Sequence, residues 1–278
     1  MGDLEHDTAI ERVADGRYRA CISSDWALWG PVGGYIAAIA LRAAGAHAAM
    51  PLPASLSCHY LAPARFDAVD IEVDCLRTSP NAKSLTVRMI QRDTLVLDAL
   101  VWTIAAGIPG PRRRLADAPH VPPPQEVPEI PLDPRLASGT AASATATGTF
   151  WQNLELRTLA FADKSRSDEV SIHSWAKFRP RAYFDDPWLD ACRELIAIDT
   201  AIFPAVAIAL DGGRYAALSI DLYVAFHAPP PAEEYLLVTA QGTAAGAGLV
   251  SGTASTRSAD GTLTASGGSQ LLCRSVGA

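Results

Sequence analysis

Asp199 is the carboxylate whose setting is hardest to explain by solvation. It sits in Leu195-Ile196-Ala197-Ile198-Asp199-Thr200-Ala201-Ile202-Phe203, where an ionised carboxylate is costly unless it has partners. Burial raises the pKa of such a group and hydrogen bonds pull it back, a balance suited to a general base that orients and deprotonates a water. The structural alternative is an N-cap for a helix beginning at Thr200, because Pro204 interrupts any helix begun earlier. Ser219 is the second candidate, able to donate to Asp199 or to a water. Strand alternation puts it on one face with Asp221, Tyr223 and His227, opposite the apolar series that includes Ile220. No G-x-S-x-G elbow surrounds any serine, which argues against a serine nucleophile of the α/β-hydrolase kind.

Gly33 and Gly34 follow Pro31 at the entry to an apolar segment. Missing side chains there admit close backbone approach, and free N–H groups at a helix start can hold an oxyanion or a phosphate. Tyr35 follows directly, and Trp29 precedes, so both are placed with the substrate-binding residues. Asp25 and Trp26 could line the same pocket. Close helix packing is the alternative reason for the two glycines. His59 and His227 stand beside aromatic residues without a second His or Cys at ligand spacing, so no metal is expected. Lys177, Arg179 and Arg181 could meet phosphates, or simply pair with acidic neighbours such as Asp185 and Asp186.

The elements that must carry these residues read as a repeat. Leu56-Ser57-Cys58-His59-Tyr60-Leu61-Ala62-Pro63 parallels Leu222-Tyr223-Val224-Ala225-Phe226-His227-Ala228-Pro229 at an offset of 166. The same offset lays Gly33 onto Asp199 and the strand-like run 83–92 onto 249–258, while the run 94–105 faces 262–274 near the same register. Gly33 to Ala46 is apolar on every face, which predicts a helix buried all round. Ile71, Val73 and Cys75 alternate with Asp70, Glu72 and Asp74, and Leu85, Val87 and Met89 with Ser84, Thr86 and Arg88, the period of half-wet strands. Nine prolines between Pro109 and Pro134, followed by an Ala/Ser/Thr/Gly stretch, predict a linker. The expected division is 1–108, a Pro/Ala-rich linker at 109–148, and 149–278. Each half then reads as a helix followed by antiparallel strands, an α+β class.

With 30 acidic against 23 basic residues, a net charge of −7 and no long basic run, nucleic acid is not expected as a partner. The polar N-terminus and the lack of an 18-residue apolar run predict a soluble cytoplasmic protein without a membrane span. Cys21, Cys58, Cys75, Cys192 and Cys273 are odd in number and scattered, as reduced thiols would be.

These features together resemble the acyl-CoA thioesterase II group and its thioesterase-like relatives, whose fold is the double hotdog. Gly30-Pro31-Val32-Gly33-Gly34-Tyr35 looks like the family's Gly-Gly helix entry, and 55–66 like its Ser-x-x-x-x-aromatic-Leu-x-Pro strand. Trp175-Ala176-Lys177-Phe178-Arg179, the Asp199 segment and Ser219-Ile220-Asp221 to His227 resemble its second half. The resemblance implies a hydrolase that cleaves acyl-CoA thioesters, or carrier-protein thioesters, with a water held by Asp199, Ser219 and Gln270. No cofactor is implied beyond the coenzyme A of the substrate, and homodimers or higher oligomers of double-hotdog protomers are compatible with it. Gln270-Leu271-Leu272-Cys273-Arg274 departs from the family pattern by one residue, and one residue on a strand changes the face. Because the first copy has Gly33 where the second has Asp199, one active site per tandem pair is expected. An enoyl-CoA hydratase-type enzyme using an Asp and a His, and a non-catalytic acyl- or acyl-CoA-binding protein, are the competing readings.

Overall fold

The computed structural model describes residues 1–111, 117–129, 148–159, 171–208, 210, 215–228 and 232–275. The rest of the expected linker lies outside the described residues. Among the described residues, three α-helices, α1 (Leu4–Asp7), α2 (Gly33–Ala48) and α3 (Pro187–Ala207), accompany thirteen strands. The first half supplies β1 (Glu11–Ala14), β2 (Arg17–Cys21), β3 (Leu52–Tyr60), β4 (Ala68–Thr78), β5 (Ala82–Gln91) and β6 (Thr94–Ile104). The second supplies β7 (Leu154–Thr158), β8 (Ser171–Phe178), β9 (Tyr215–Ser219), β10 (Asp221–Phe226), β11 (Leu236–Gly246), β12 (Leu249–Arg257) and β13 (Leu263–Ser275). All pair antiparallel in one sheet, in the order β1-β2-β4-β5-β6-β3-β10-β13-β12-β11-β8-β7, with β9 also on β13. Read outward from the β3–β10 seam, the two halves have the same order. Each half is a hotdog, an antiparallel sheet around a central helix, and the whole is a double hotdog.

The seam carries the signature of the repeat. Ser57 and Tyr223, counterparts at the offset of 166, pair directly across it. The pseudo-dyad therefore runs through this pair, and the two helices meet beside the same axis.

Both helices are buried because the sheet wraps them. The inward series Val69, Ile71, Val73 and Leu85, Val87, Met89 is at most 1% exposed and faces α2. Cys75, paired with Leu85 in the same register, is nonetheless exposed, at the point where the β4–β5 register slips before Arg77. Small residues on α2 let α3 approach. A Cβ at Gly34 would lie 2.9 Å from Ile196 Cα, and one at Gly45 would lie 2.5 Å from the Trp188 indole.

α3 begins at Pro187, capped by the Asp186 side chain accepting from Trp188 N–H, and Pro204 lies within its last turn. Asp199 is therefore a mid-helix residue and not an N-cap. An Asp N-cap with Pro at the first helical position is a strong start, and a proline near the end removes only one late ladder bond.

The described part of the Pro-rich stretch is packed against the second half. Trp175 Nε1 donates to the Pro122 carbonyl, and Val127 is buried with Trp175 and Leu237. Asn153 ties the halves further, accepting from Gly2 N–H and donating to the Asp25 carbonyl. The five cysteines are free thiols. No helix among the described residues is long and apolar enough to cross a membrane.

Candidate active site

Asp199 projects from α3 towards the start of α2. Its Oδ2 accepts from the Gly34 backbone N–H at 2.7 Å and its Oδ1 from the Ser219 hydroxyl at 3.0 Å. The residue is 6% exposed. Burial pushes its pKa up to about 6, partly offset by the Gly34 and Ser219 hydrogen bonds, which favour the charged form. A carboxylate with two donors and a pKa near neutrality can take a proton from water.

Ser219 reaches Asp199 through a β-bulge that strand alternation does not reveal. From Phe226 to Tyr223, β10 pairs in register with Ala265 to Gly268, which would place Ile220 opposite Leu271. Ser219 takes that place instead. The extra residue turns Ser219 onto the helix-facing side with Leu222 and Val224, and leaves Leu218 and Ile220 54% and 36% exposed. The expectation that Ser219 shares a face with Asp221 and Tyr223 is thus corrected.

The bulge is well satisfied. Ile220 N–H donates to the Gln270 carbonyl, the Ile220 carbonyl accepts from Tyr60 N–H, and Asp221 Oδ1 accepts from Gln270 N–H at 2.7 Å. β3 slips register between Pro53 and Ser55, the positions matching 219 and 221. The bulge belongs to the repeat, but the first copy offers Pro53 and Gly33 where the second has Ser219 and Asp199.

Gln270 does not join this pair. Its β12 partner is Ser251, whereas the flanking Ser269 and Leu271 face Gly252 and Val250 on the buried side. Gln270 therefore lies on the opposite face, lining a groove of about 780 Å³ with Ser57, Asp221 and Thr253. His59 shares that groove, and His227 bonds Ser266 there, so neither imidazole is on the Asp199 side. No cluster of three or more metal-ligating side chains occurs among the described residues.

Of the other expected binding residues, Tyr35 is a core residue. It is fully buried, stacks on Trp26 at 5.2 Å, and donates its hydroxyl to the Asp7 carbonyl. Trp29 is 43% exposed in the loop before α2. Gly34 N–H is taken by Asp199 and is not available to an oxyanion, while Gly33 frames the site. Its missing Cβ would lie 3.3 Å from Asp199 Oδ2 and 3.1 Å from the Tyr60 hydroxyl oxygen. Lys177 pairs with Glu234, Arg179 with Glu129 and Glu155, and Arg181 with Asp3 and Glu5. The acidic partners differ from those expected, but the cations are occupied.

Two family models match consecutive parts of the chain, the acyl-CoA thioesterase N-terminal domain over residues 22–104 and the acyl-CoA thioesterase C-terminal domain over 122–272. The chain belongs to the acyl-CoA thioesterase family. It is a thioester hydrolase. Solved structures agree in fold. This thioesterase is similar to a hot dog fold protein from Alicyclobacillus acidocaldarius (22% identity, TM-score 0.80, 99% of this chain and 98% of that one). It is also similar to the tesB protein of Mycobacterium avium subs paratuberculosis (21%, 0.75, 98% of each chain). The acyl-CoA thioesterase II TesB2 of Mycobacterium marinum is a third (17%, 0.77, 98% and 97%). A dehydratase domain of RzxB from Pseudomonas fluorescens is more distant, at 12% identity and a TM-score of 0.56. No curated protein matches the thioesterase significantly.

Proposed function

We propose that this thioesterase hydrolyses acyl-CoA thioesters with a water activated by Asp199 and oriented with help from Ser219. The observation that carries the reading is the buried carboxylate held by Gly34 N–H and the Ser219 hydroxyl at the meeting point of the two halves. In the first step Asp199 takes a proton as the water oxygen bonds to the thioester carbonyl carbon, and the carbonyl π pair moves onto oxygen. The carbonyl then re-forms, the C–S bond breaks, and the departing thiolate takes the proton back from Asp199. The products are the carboxylic acid and free CoA. Placement of both imidazoles on the far face of the sheet disfavours the Asp/His hydratase reading.

Thiol release from acetyl-, hexanoyl- and palmitoyl-CoA tests the proposal. Turnover of at least one, lost in Asp199→Asn, is expected. Tight binding with no thiol release by the wild type would identify a binding protein instead.

The base must be ionised, so kcat/KM is expected to rise with pH through about 6 and then level off. Ser219→Ala removes a bond that favours the carboxylate, so the acid limb moves to higher pH and kcat falls about 10-fold. A limb that stays in place in the variant would show that Ser219 does not act through Asp199. Gln270→Ala, on the opposite face, is expected to keep kcat within about 2-fold, since substitutions away from a site are usually near neutral. A large loss in the same assay would bring Gln270 back into the reaction.

A further inference from the structure

We propose that Tyr60 is a catalytic residue whose phenol donates a hydrogen bond to the thioester carbonyl oxygen as negative charge builds on it. This rests on the hydrolytic reading above and adds the group that faces Asp199 across the reacting carbonyl.

Tyr60 ends β3 and points to the helix side with Cys58 and Leu56, while Ser57 and His59 point away. Its hydroxyl oxygen is buried and has no hydrogen-bond partner. The neighbouring Cys58 thiol interacts with it as a weak hydrogen-bonding group, but it is too poorly aligned to satisfy the hydroxyl. Buried hydroxyls are normally satisfied, and an orphan one asks for a ligand.

The place it faces is defined by Gly33. A Cβ there would stand 3.1 Å from the phenol oxygen and 3.3 Å from Asp199 Oδ2. The two oxygens are thus no further apart than the sum of these distances, and they are not bonded to each other. A water oxygen against the carboxylate and a carbonyl oxygen against the phenol, each at about 2.7–3.1 Å, suit such a gap. Burial holds the phenol far above its ordinary pKa, so it remains a donor at every working pH.

The repeat supplies an internal control. Phe226 occupies the position matching Tyr60. An aromatic ring without a hydroxyl therefore fills the equivalent place in the fold, and the hydroxyl occurs only in the copy that faces Asp199. The Tyr60 backbone N–H also donates to Ile220 at the bulge that presents Ser219. One local arrangement thereby positions the donor and the base's partner together.

Tyr60→Phe is the test, assayed by thiol release from hexanoyl-CoA or whichever panel member the wild type cleaves fastest. The expected result is a kcat lower by about 10²–10³-fold, the usual cost of one oxyanion donor, with KM changed less than about 3-fold and an unmoved acid limb. Thermal unfolding at the wild-type midpoint would exclude a folding defect. A second measurement does not need turnover: in the Asp199→Asn background, a bound acyl-CoA with a ¹³C thioester carbonyl should show an infrared stretch that shifts upward when Tyr60 becomes Phe. Tyr60→Phe within about 3-fold of wild-type kcat, or an unshifted stretch, overturns the proposal. If Asp199→Asn is inactive in the same experiment, the general-base reading survives that result. If Asp199→Asn retains turnover, the hydrolytic mechanism itself fails and the role of Tyr60 falls with it.

Discussion

Asp199→Asn is expected to lower kcat by about 10²–10⁴-fold, the contribution of a positioned general base, while making the folded protein more stable at alkaline pH. The two effects share one cause. In the unfolded chain the carboxyl group titrates near 3.8, and burial raises this to about 6 in the fold. Protonation is therefore favoured by folding. The stability contributed by the protonated form is complete below the unfolded pKa and is lost as pH rises through about 6. At pH 8 the wild type carries the full penalty of keeping this buried carboxylate charged, on the order of 2–3 kcal/mol. Asparagine keeps the shape, accepts from Gly34 N–H and can donate to a reoriented Ser219 hydroxyl, yet has no charge to bury. Chemical denaturation should show the variant ahead at pH 8 and the advantage shrinking towards pH 4. A pH-independent difference would mean that Asp199 is not a buried titrating group.

Adjacent glycines at the start of α2 are expected to fail in different ways when replaced. Alanine at Gly34 brings a Cβ within 2.9 Å of Ile196 Cα and 3.0 Å of Asp199 Cβ. The backbone of α3 cannot rotate aside, so the helices must separate. Overpacking of this kind costs about 1–3 kcal/mol, and it would also stretch the Gly34–Asp199 hydrogen bond. Alanine at Gly33 meets the end of the Tyr60 ring and the tip of the Asp199 carboxylate, both at more than 3.0 Å. The fold should tolerate that methyl group, but it occupies the space proposed for the thioester carbonyl, and kcat/KM should fall about 10²-fold through lost alignment. Differential scanning calorimetry beside the thiol-release assay separates the two outcomes. Equal loss of stability in both variants would contradict this division of roles.

Much of the fold could be read because its rules are local and repeated. The small-residue segment after Gly33 is a buried helix, the alternation of Ile71 and Val73 or Leu85 and Val87 is an inward strand face, and the 166-residue offset survives as direct pairing of Ser57 with Tyr223. The site was legible in its residue types more than in its geometry. Asp199 and Ser219 are brought together, but by a bulge that leaves no mark in the sequence. Leu218 and Ile220 continue the apolar alternation and are nonetheless exposed, because one extra residue changes the face without changing the pattern. Family resemblance points to Gln270, and the register of β13 sends it to the other side. Tyr60 was aligned with Phe226 as an aromatic match. The difference between them, a hydroxyl, was the available signal. Asp186-Pro187 carries the N-cap and first-turn proline of α3, and Pro204, which suggests a helix beginning at Thr200, falls instead within the last turn of a longer one.

The nearness of Gly33 to Asp199 bears on why two unlike copies suit this chemistry. Counterparts across the pseudo-dyad meet here, so an aspartate in both copies would start its second side chain 3.3 Å from the first carboxylate. Two like charges around one buried point tend to share a proton, and ionising the first suppresses the second. A symmetric pair of sites would be condemned to half-of-the-sites behaviour. Fusing the copies into one polypeptide lets a single codon differ between them, and the electrostatic competition between twin bases disappears.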